Sequence, residues 1–245
     1  MMKRLIYIAA LLLATSAYAG VEWYAVLARK NAAPAAPSFV PTDVGGLYGW
    51  WKADAGVLES DLSAAEDGEA VVAWEDQSGG GNDLTVTNAT WVEATPSVTP
   101  TESDTFLRTP ALATGNSSVY IAHSSVDLKH ILLGVPSGPF TGAANDADGS
   151  TTVYNTDTSG TYYSNLVSLA ANRDALHDGW NIGASVVMSV VNFTEATSDY
   201  SWGILEWTGQ ASWNYGGDVY EILWYTNTVS LADHTNIVNY LEGRW

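Results

Sequence analysis

From Gly45 onward the chain alternates short apolar stretches with clusters of turn-forming residues. "AVVAW", "DLTVTNATWV", "SSVYIAHSSV", "ILLGV", "STTVYN", "GTYYSNLVSL", "NIGASVVMSVVNF", "SWGILEW" and "GDVYEILWY" are rich in β-branched and aromatic residues and read as strands. The intervening "DQSGGGN", "PSGP", "GAANDADG" and "DTSG" are Gly, Asp, Asn, Ser and Pro punctuation. Many strands without long intervening helices predict antiparallel sheets stacked face to face. One helix is predicted, over "SLADHTNIVNYLEG". Ser230 stands as N-cap with Asp233 in capping-box position, and Leu231, His234, Ile237, Val238 and Leu241 recur at helical spacing. Gly243 is the expected left-handed cap at its end. One stripe of this helix, His234 included, is expected to pack on a sheet.

Upstream of Gly45 the pattern changes. Lys3 and Arg4 precede the apolar run "LIYIAALLLA", and Ala17 and Ala19 supply an A-x-A-like cleavage site, so residues 1–19 read as an export signal. The rival reading, an uncleaved anchor continuing through "VEWYAVLA", would put Glu22 into hydrocarbon at about 2.5 kcal/mol or more. Residues 20–44 carry the proline- and alanine-rich "NAAPAAPSFVPTD" and read as a linker, leaving 45–245 as one domain. The expected location is outside the cell, at its surface or in a periplasm, with no stable membrane span once the signal is removed.

Composition narrows the classes of function. Hydrophobic residues make up 47% of the 245, enough for a full core. The formal net charge of −18 opposes binding to nucleic acid or anionic membranes. With no cysteine, disulfides, thiol nucleophiles and cysteine zinc sites are excluded.

The stretch "AVVAWEDQSGGGNDLTV" has the glycines of a phosphate loop, but they lead into the strand-like "LTVT" with no lysine. The expected role is a sharp turn with positive φ at glycine, its backbone bonded by Asp76, Ser78, Asn82 and Asp83. The alternative is a cation site.

"LYGWWKADAGV", "VVAWEDQSGGGNDLT" and the terminal "GDVYEILWYTNTVSLADHTNIVNYLEGRW" together resemble the LamG-like jelly-roll domains of the concanavalin A-like lectin/glucanase superfamily. The resemblance covers residues 45–83 and 217–245. It implies an all-β fold, a two-sheet antiparallel jelly-roll sandwich closed by a short C-terminal helix.

Glucanases of that superfamily carry catalytic carboxylates on alternate residues of one strand, close enough to meet one glycosidic oxygen. No such run occurs here. Glu75 and Asp76 are adjacent, Glu206 is alone, and Asp218 and Glu221 are expected on opposite faces of their strand. No Gly-x-Ser-x-Gly is present, and His123, His130, His177 and His234 lie in unrelated contexts. These absences predict that the chain is not an enzyme.

Eleven tryptophans and thirteen tyrosines exceed what one core needs, and flat rings stack on the faces of sugars. Trp180, Trp213 and Tyr215, in Gly/Asn/Ser contexts, are the candidate ligand contacts. Tyr220, Ile222 and Trp224 are expected on one face of the last strand, with Val219, Glu221, Leu223 and Tyr225 on the other. Glu221, in midstrand, is expected to be a buried carboxylate paired to backbone or to a basic residue. "NDADG" is by default a solvated acidic turn; the alternative is a loose calcium site from Asp146 and Asp148. The expected function is therefore an exported, non-catalytic module binding carbohydrate or a cell-surface partner, adhesive in role, with a homo-oligomer open. The alternative is a structural or assembly protein of a surface, appendage or virion, with a divergent glycosidase behind it.

Overall fold

The β-branched run "SVVMSVVNFT" forms one of two ten-residue strands around which a large antiparallel sheet is built. The computed structural model describes residues 39–101, 106–111, 116–125, 129–131, 133–134, 144–146, 160–180, 185–194, 201–204 and 217–245. The strands are β1 (Leu47–Lys52), β2 (Val57–Leu58), β3 (Ala73–Trp74), β4 (Leu84–Thr87), β5 (Ala89–Val92), β6 (Ser97–Pro100), β7 (Phe106–Ala111) and β8 (Asn116–Ser125). After them come β9 (Lys129–Ile131), β10 (Leu133–Gly134), β11 (Ala144–Asp146), β12 (Thr161–Ser164), β13 (Val167–Leu169), β14 (Ser185–Thr194), β15 (Ser201–Ile204) and β16 (Gly217–Tyr225). Helix α1 (Arg173–Trp180) lies between β13 and β14, and α2 (Leu231–Arg244) follows β16.

Among the described residues, eight strands form a first sheet in the order β13-β12-β14-β8-β16-β6-β5, with β1 also paired to β16. Six form a second, β10-β15-β7-β4-β3-β2, and β11 pairs with β9 alone. The fold is all-β and antiparallel, with a C-terminal helix.

One apolar cluster joins the two larger sheets. Trp51, Ile121, Met188, Phe193, Ile222 and Trp224 of the first meet Trp74, Leu84, Val86 and Leu107 of the second. A second cluster lies on the other face of the first sheet, where Tyr120, Ala122, Val187, Leu223 and Tyr225 are covered by Ile237, Val238 and Leu241 of α2. Thus the centre of the first sheet is buried on both faces, and the segment Ser118–His123 is buried at every position. Phe39 and Val44, from the segment assigned by its prolines to the linker, also pack in this second cluster.

Several expectations hold in detail. Ser230 caps α2, its Oγ accepting from the Asp233 amide at 3.1 Å, and His234 is buried in the helix's apolar stripe. The glycine turn of "DQSGGGND" is stitched by Asp76. Its Oδ1 accepts from the amides of Trp50 at 2.9 Å and Ser78 at 2.8 Å, while Oδ2 accepts from Ser78 Oγ at 2.7 Å and the Asn82 amide at 3.1 Å. These four bonds use the carboxylate's acceptor capacity, so the turn is a clamp on β1 rather than a cation site. Gly79 and Gly81 take the positive φ the turn requires, at 84° and 70°.

Other expectations are corrected. "DLTVTNATWV" is two strands, not one: Asn88, at φ 54°, breaks it and sends β4 and β5 to different sheets. "GTYYSNLVSL" likewise folds back at Asn165, φ 52°, into the β12–β13 hairpin. Asparagine tolerates the left-handed region better than other non-glycine residues, which is why apolar periodicity alone missed both breaks. Helix α2 runs through Gly243 to Arg244, because the Trp245 amide donates to the Leu241 carbonyl at 3.1 Å and continues the helical pattern. The helix α1 was not expected at all. Asn172 caps it, accepting from the Ala175 amide at 2.8 Å, and it is held by the buried Leu176 and by Gly179, whose missing side chain lets Leu169 approach.

Replacing Ser230 with alanine removes the cap of α2, and equilibrium denaturation should report a loss of about 1 kcal/mol. No loss would mean that the packing of Ile237, Val238 and Leu241 holds the helix without its cap.

Candidate functional site

The last strand carries a fully buried side chain with four partners. Between Val219 and Glu221 the pairing of β16 with β8 shifts register. At that bulge the other edge of β16 changes partner, from β6 at Val219 to β1 from Glu221 onward. A bulge breaks the alternation of side chains. Val219 therefore packs in the core between the sheets, whereas Tyr220 joins Leu223 and Tyr225 on the helix side. This corrects the expected pairing of Tyr220 with Ile222 and Trp224. It also brings Asp218, by alternation, to the face of Glu221. Asp218 is held by Thr99 Oγ1 at 2.6 Å and Ser124 Oγ at 3.4 Å.

Glu221 is fully buried. Its Oε1 accepts from the Trp50 indole at 2.6 Å and the Tyr240 hydroxyl at 3.0 Å; its Oε2 accepts from the Trp245 indole and the Arg244 Nε, each at 2.8 Å. Four donors occupy the four acceptor positions of a carboxylate. The expected buried, paired carboxylate is thus present, with three aromatic donors as well as a basic residue. No lone pair remains to serve a substrate as acid or base. Arg244 also bonds Asp54 at 2.8 Å. Burial pulls the Arg244 pKa down, but the carboxylates of Glu221 and Asp54 outweigh it and raise it. Burial, and next the Glu221 charge, push the Tyr240 hydroxyl up, so it stays a donor.

A cavity of about 200 Å³ opens beside this hub, between the end of α2 and the β12–β14 edge. Its apolar floor includes Ala122, Val187 and Leu241. Around it stand Asn165, Ser185, Glu242 and Trp245. Trp245 is held by its bond to Glu221 and by stacking on Tyr220 at 5.4 Å with an interplanar angle of 15°. Asn165 is fixed because its Oδ1 accepts from the Val187 amide at 2.8 Å. Sequence reasoning missed these four. The one available signal was Trp245 itself, an aromatic residue one position past a helix whose other face was already assigned to the core.

His234 lies between Tyr120 and Tyr163, with ring centroids at 5.6 and 4.2 Å, and its Nδ1 is 3.2 Å from the Tyr120 hydroxyl. Burial lowers its pKa below the ordinary 6.5.

Of the candidate ligand contacts, Trp180 is the last residue of α1 rather than part of a loop, and Trp213 and Tyr215 lie outside the described residues. Asp146 ends β11, and Asp148 lies outside the described residues. Among the described residues no group of three His, Cys, Asp or Glu side chains is placed to hold a metal, and no helix is long and apolar enough to cross a membrane. Asn192, which opens an Asn-Phe-Thr glycosylation sequon, is engaged at both ends of its amide: Nδ2 donates to the Val229 carbonyl and Oδ1 accepts from the Val229 amide.

No family model matches the sequence, and no curated protein matches it. Solved structures do. Trypanosoma rangeli sialidase in complex with sialic acid is 14% identical with a TM-score of 0.52, over 86% of this chain and 36% of that one. Trypanosoma rangeli sialidase gives 14% and 0.51 over the same shares of 86% and 36%. Its complex with 2,3-difluorosialic acid, a covalent intermediate, gives 14% and 0.52 over 80% and 33%. The chain thus spans about a third of the length of these sialidases. At this identity the likeness carries the fold. It overturns the expectation of a non-catalytic module and the exclusion of an enzyme. The fold occurs inside glycosidases, so the lack of alternating carboxylates in this chain does not set it apart from them.

Glu221→Ala should cost about 3–5 kcal/mol in denaturant unfolding, because it leaves two indole N–H groups and the Tyr240 hydroxyl without their acceptor around an emptied site. A loss below about 1 kcal/mol would show the hub to be dispensable. Stability should also fall as pH drops below about 6.5, where the unfolded chain protonates His234 and the folded chain does not. Unfolding at pH 7.5 and 5.5 should show His234→Phe removing up to about 1.4 kcal/mol of that difference; an unchanged difference would assign the acid limb to other groups.

Proposed function

We propose that this chain is the glycan-engaging domain of a glycan-processing protein, built as a LamG-like, concanavalin A-like jelly roll. The observation that carries the reading is the fold shared over 86% of the chain with part of a sialidase. The likeness of "LYGWWKADAGV" and the terminal segment to LamG-like domains supports the finer fold. So does the joint core of the two sheets beneath a closing helix. On this reading the protein is exported and meets its glycan outside the cell. Trp180, Trp213 and Tyr215 supply stacking faces, and calcium, where it takes part, is held by Asp146 and Asp148.

The test is a glycan array probed with the full chain, with calcium and with chelator, beside a fluorogenic sialoside to read hydrolysis. Retention on defined glycans is expected, with Trp213→Ala/Tyr215→Ala lowering it about tenfold, as loss of stacking worth roughly 1–1.5 kcal/mol would. Neither retention nor hydrolysis in any condition would end the reading.

A further inference from the structure

The cavity beside Trp245 has a size and lining that narrow what can fill it. At about 200 Å³ it falls below the roughly 300 Å³ at which pockets for drug-sized molecules begin, so its occupant is one small ring rather than a chain of them. The floor of Val187 and Leu241 is apolar, and the rim is not. Glu242 brings a carboxylate that accepts hydrogen bonds. Ser185 brings a hydroxyl that donates or accepts. The Asn165 Oδ1 is already bonded to the Val187 amide, which leaves its NH₂ as the donor. An apolar floor under acceptors, a donor and a hydroxyl matches a molecule with C–H faces and a ring of hydroxyls.

Charge selects further. The cavity lining contains no lysine or arginine, Glu242 stands at the rim, and the chain carries a net charge of −18. An anionic sugar or a phosphate would enter against that field. The wall is set in advance, because Trp245 is locked by Glu221 and Tyr220 and Asn165 by Val187. Groups already fixed lose little freedom when a ligand arrives.

We propose that this cavity is a subsite for a single neutral pyranose, bounded by Trp245 and hydrogen-bonded by Glu242, Asn165 and Ser185. The proposal rests on the glycan reading above and names for it residues other than Trp213 and Tyr215.

The test is saturation-transfer NMR on the full chain with the methyl glycosides of glucose, galactose, mannose and N-acetylglucosamine, and with N-acetylneuraminic acid as the anionic comparison. Two variants at exposed positions accompany it: Ser185→Trp, which fills the cavity, and Glu242→Ala, which removes the acceptor. At least one neutral glycoside should bind more tightly than the acid. Its affinity should fall tenfold or more in Ser185→Trp and severalfold in Glu242→Ala, with thermal melts unchanged. Glycoside binding that both variants leave intact would overturn the subsite while the glycan reading stands, as would preference for the acid. Retention on the array without any response to the neutral glycosides would also overturn the subsite alone. Silence in both assays would remove the subsite and the glycan reading together.

Discussion

A single buried carboxylate sets the conditions under which the rest of this structure holds. Glu221 sits in midstrand with no exposure, an arrangement that would be unfavourable without near-complete compensation. The compensation comes from the two ends of the fold. Trp50 is on the first strand, and Tyr240, Arg244 and Trp245 are on or just past the last helix. A charge buried this way demands a fixed geometry from four donors at once. The closing helix therefore has one angular position and one depth on the sheet, beyond what its apolar stripe alone would define.

The remaining described indoles follow the same rule in a neutral form. Trp51, Trp74 and Trp91 donate to the carbonyls of Asn82, Lys52 and Ala53, and Trp224 donates to Ser117 Oγ. Each ring fills core volume while its N–H ties a loop or neighbouring strand to it. Among the described residues the indoles serve this stitching, and Asp76 does the equivalent for the glycine turn. The cavity beside Trp245 borders this network, since Trp245 both lines it and donates to Glu221.

A shared fold licenses less than a shared activity. The sequence was expected to be non-catalytic because no strand carries carboxylates at alternating positions. A fold that spans about a third of a sialidase can belong to a glycosidase without holding the paired groups that define one. Glu221, the acid with the most suggestive neighbours, is saturated by donors. The site worth testing is therefore the open cavity next to it.

How much of this was legible depended on whether the signal was local. The β class, the helix with Ser230 at its start and His234 on its apolar stripe, and the bonded turn around Asp76 follow from periodicity, capping and turn chemistry, which act over a few residues. The helix α1, the breaks at Asn88 and Asn165 and the cavity did not announce themselves. Alternation continues across an asparagine in the left-handed region, and an eight-residue helix offers only about two turns of pattern to read. The bulge at Val219–Glu221 is the clearest case. It arises because β16 exchanges β6 for β1 along one edge, a fact of pairing between distant segments that no local pattern encodes. By shifting one residue it moved Tyr220 to the helix side, next to Glu221. The sequence by itself determined the strands, the helix and the need for a partner at Glu221; only the tertiary structure decided which groups answered that need, because hydrogen-bond partners are chosen by proximity in space.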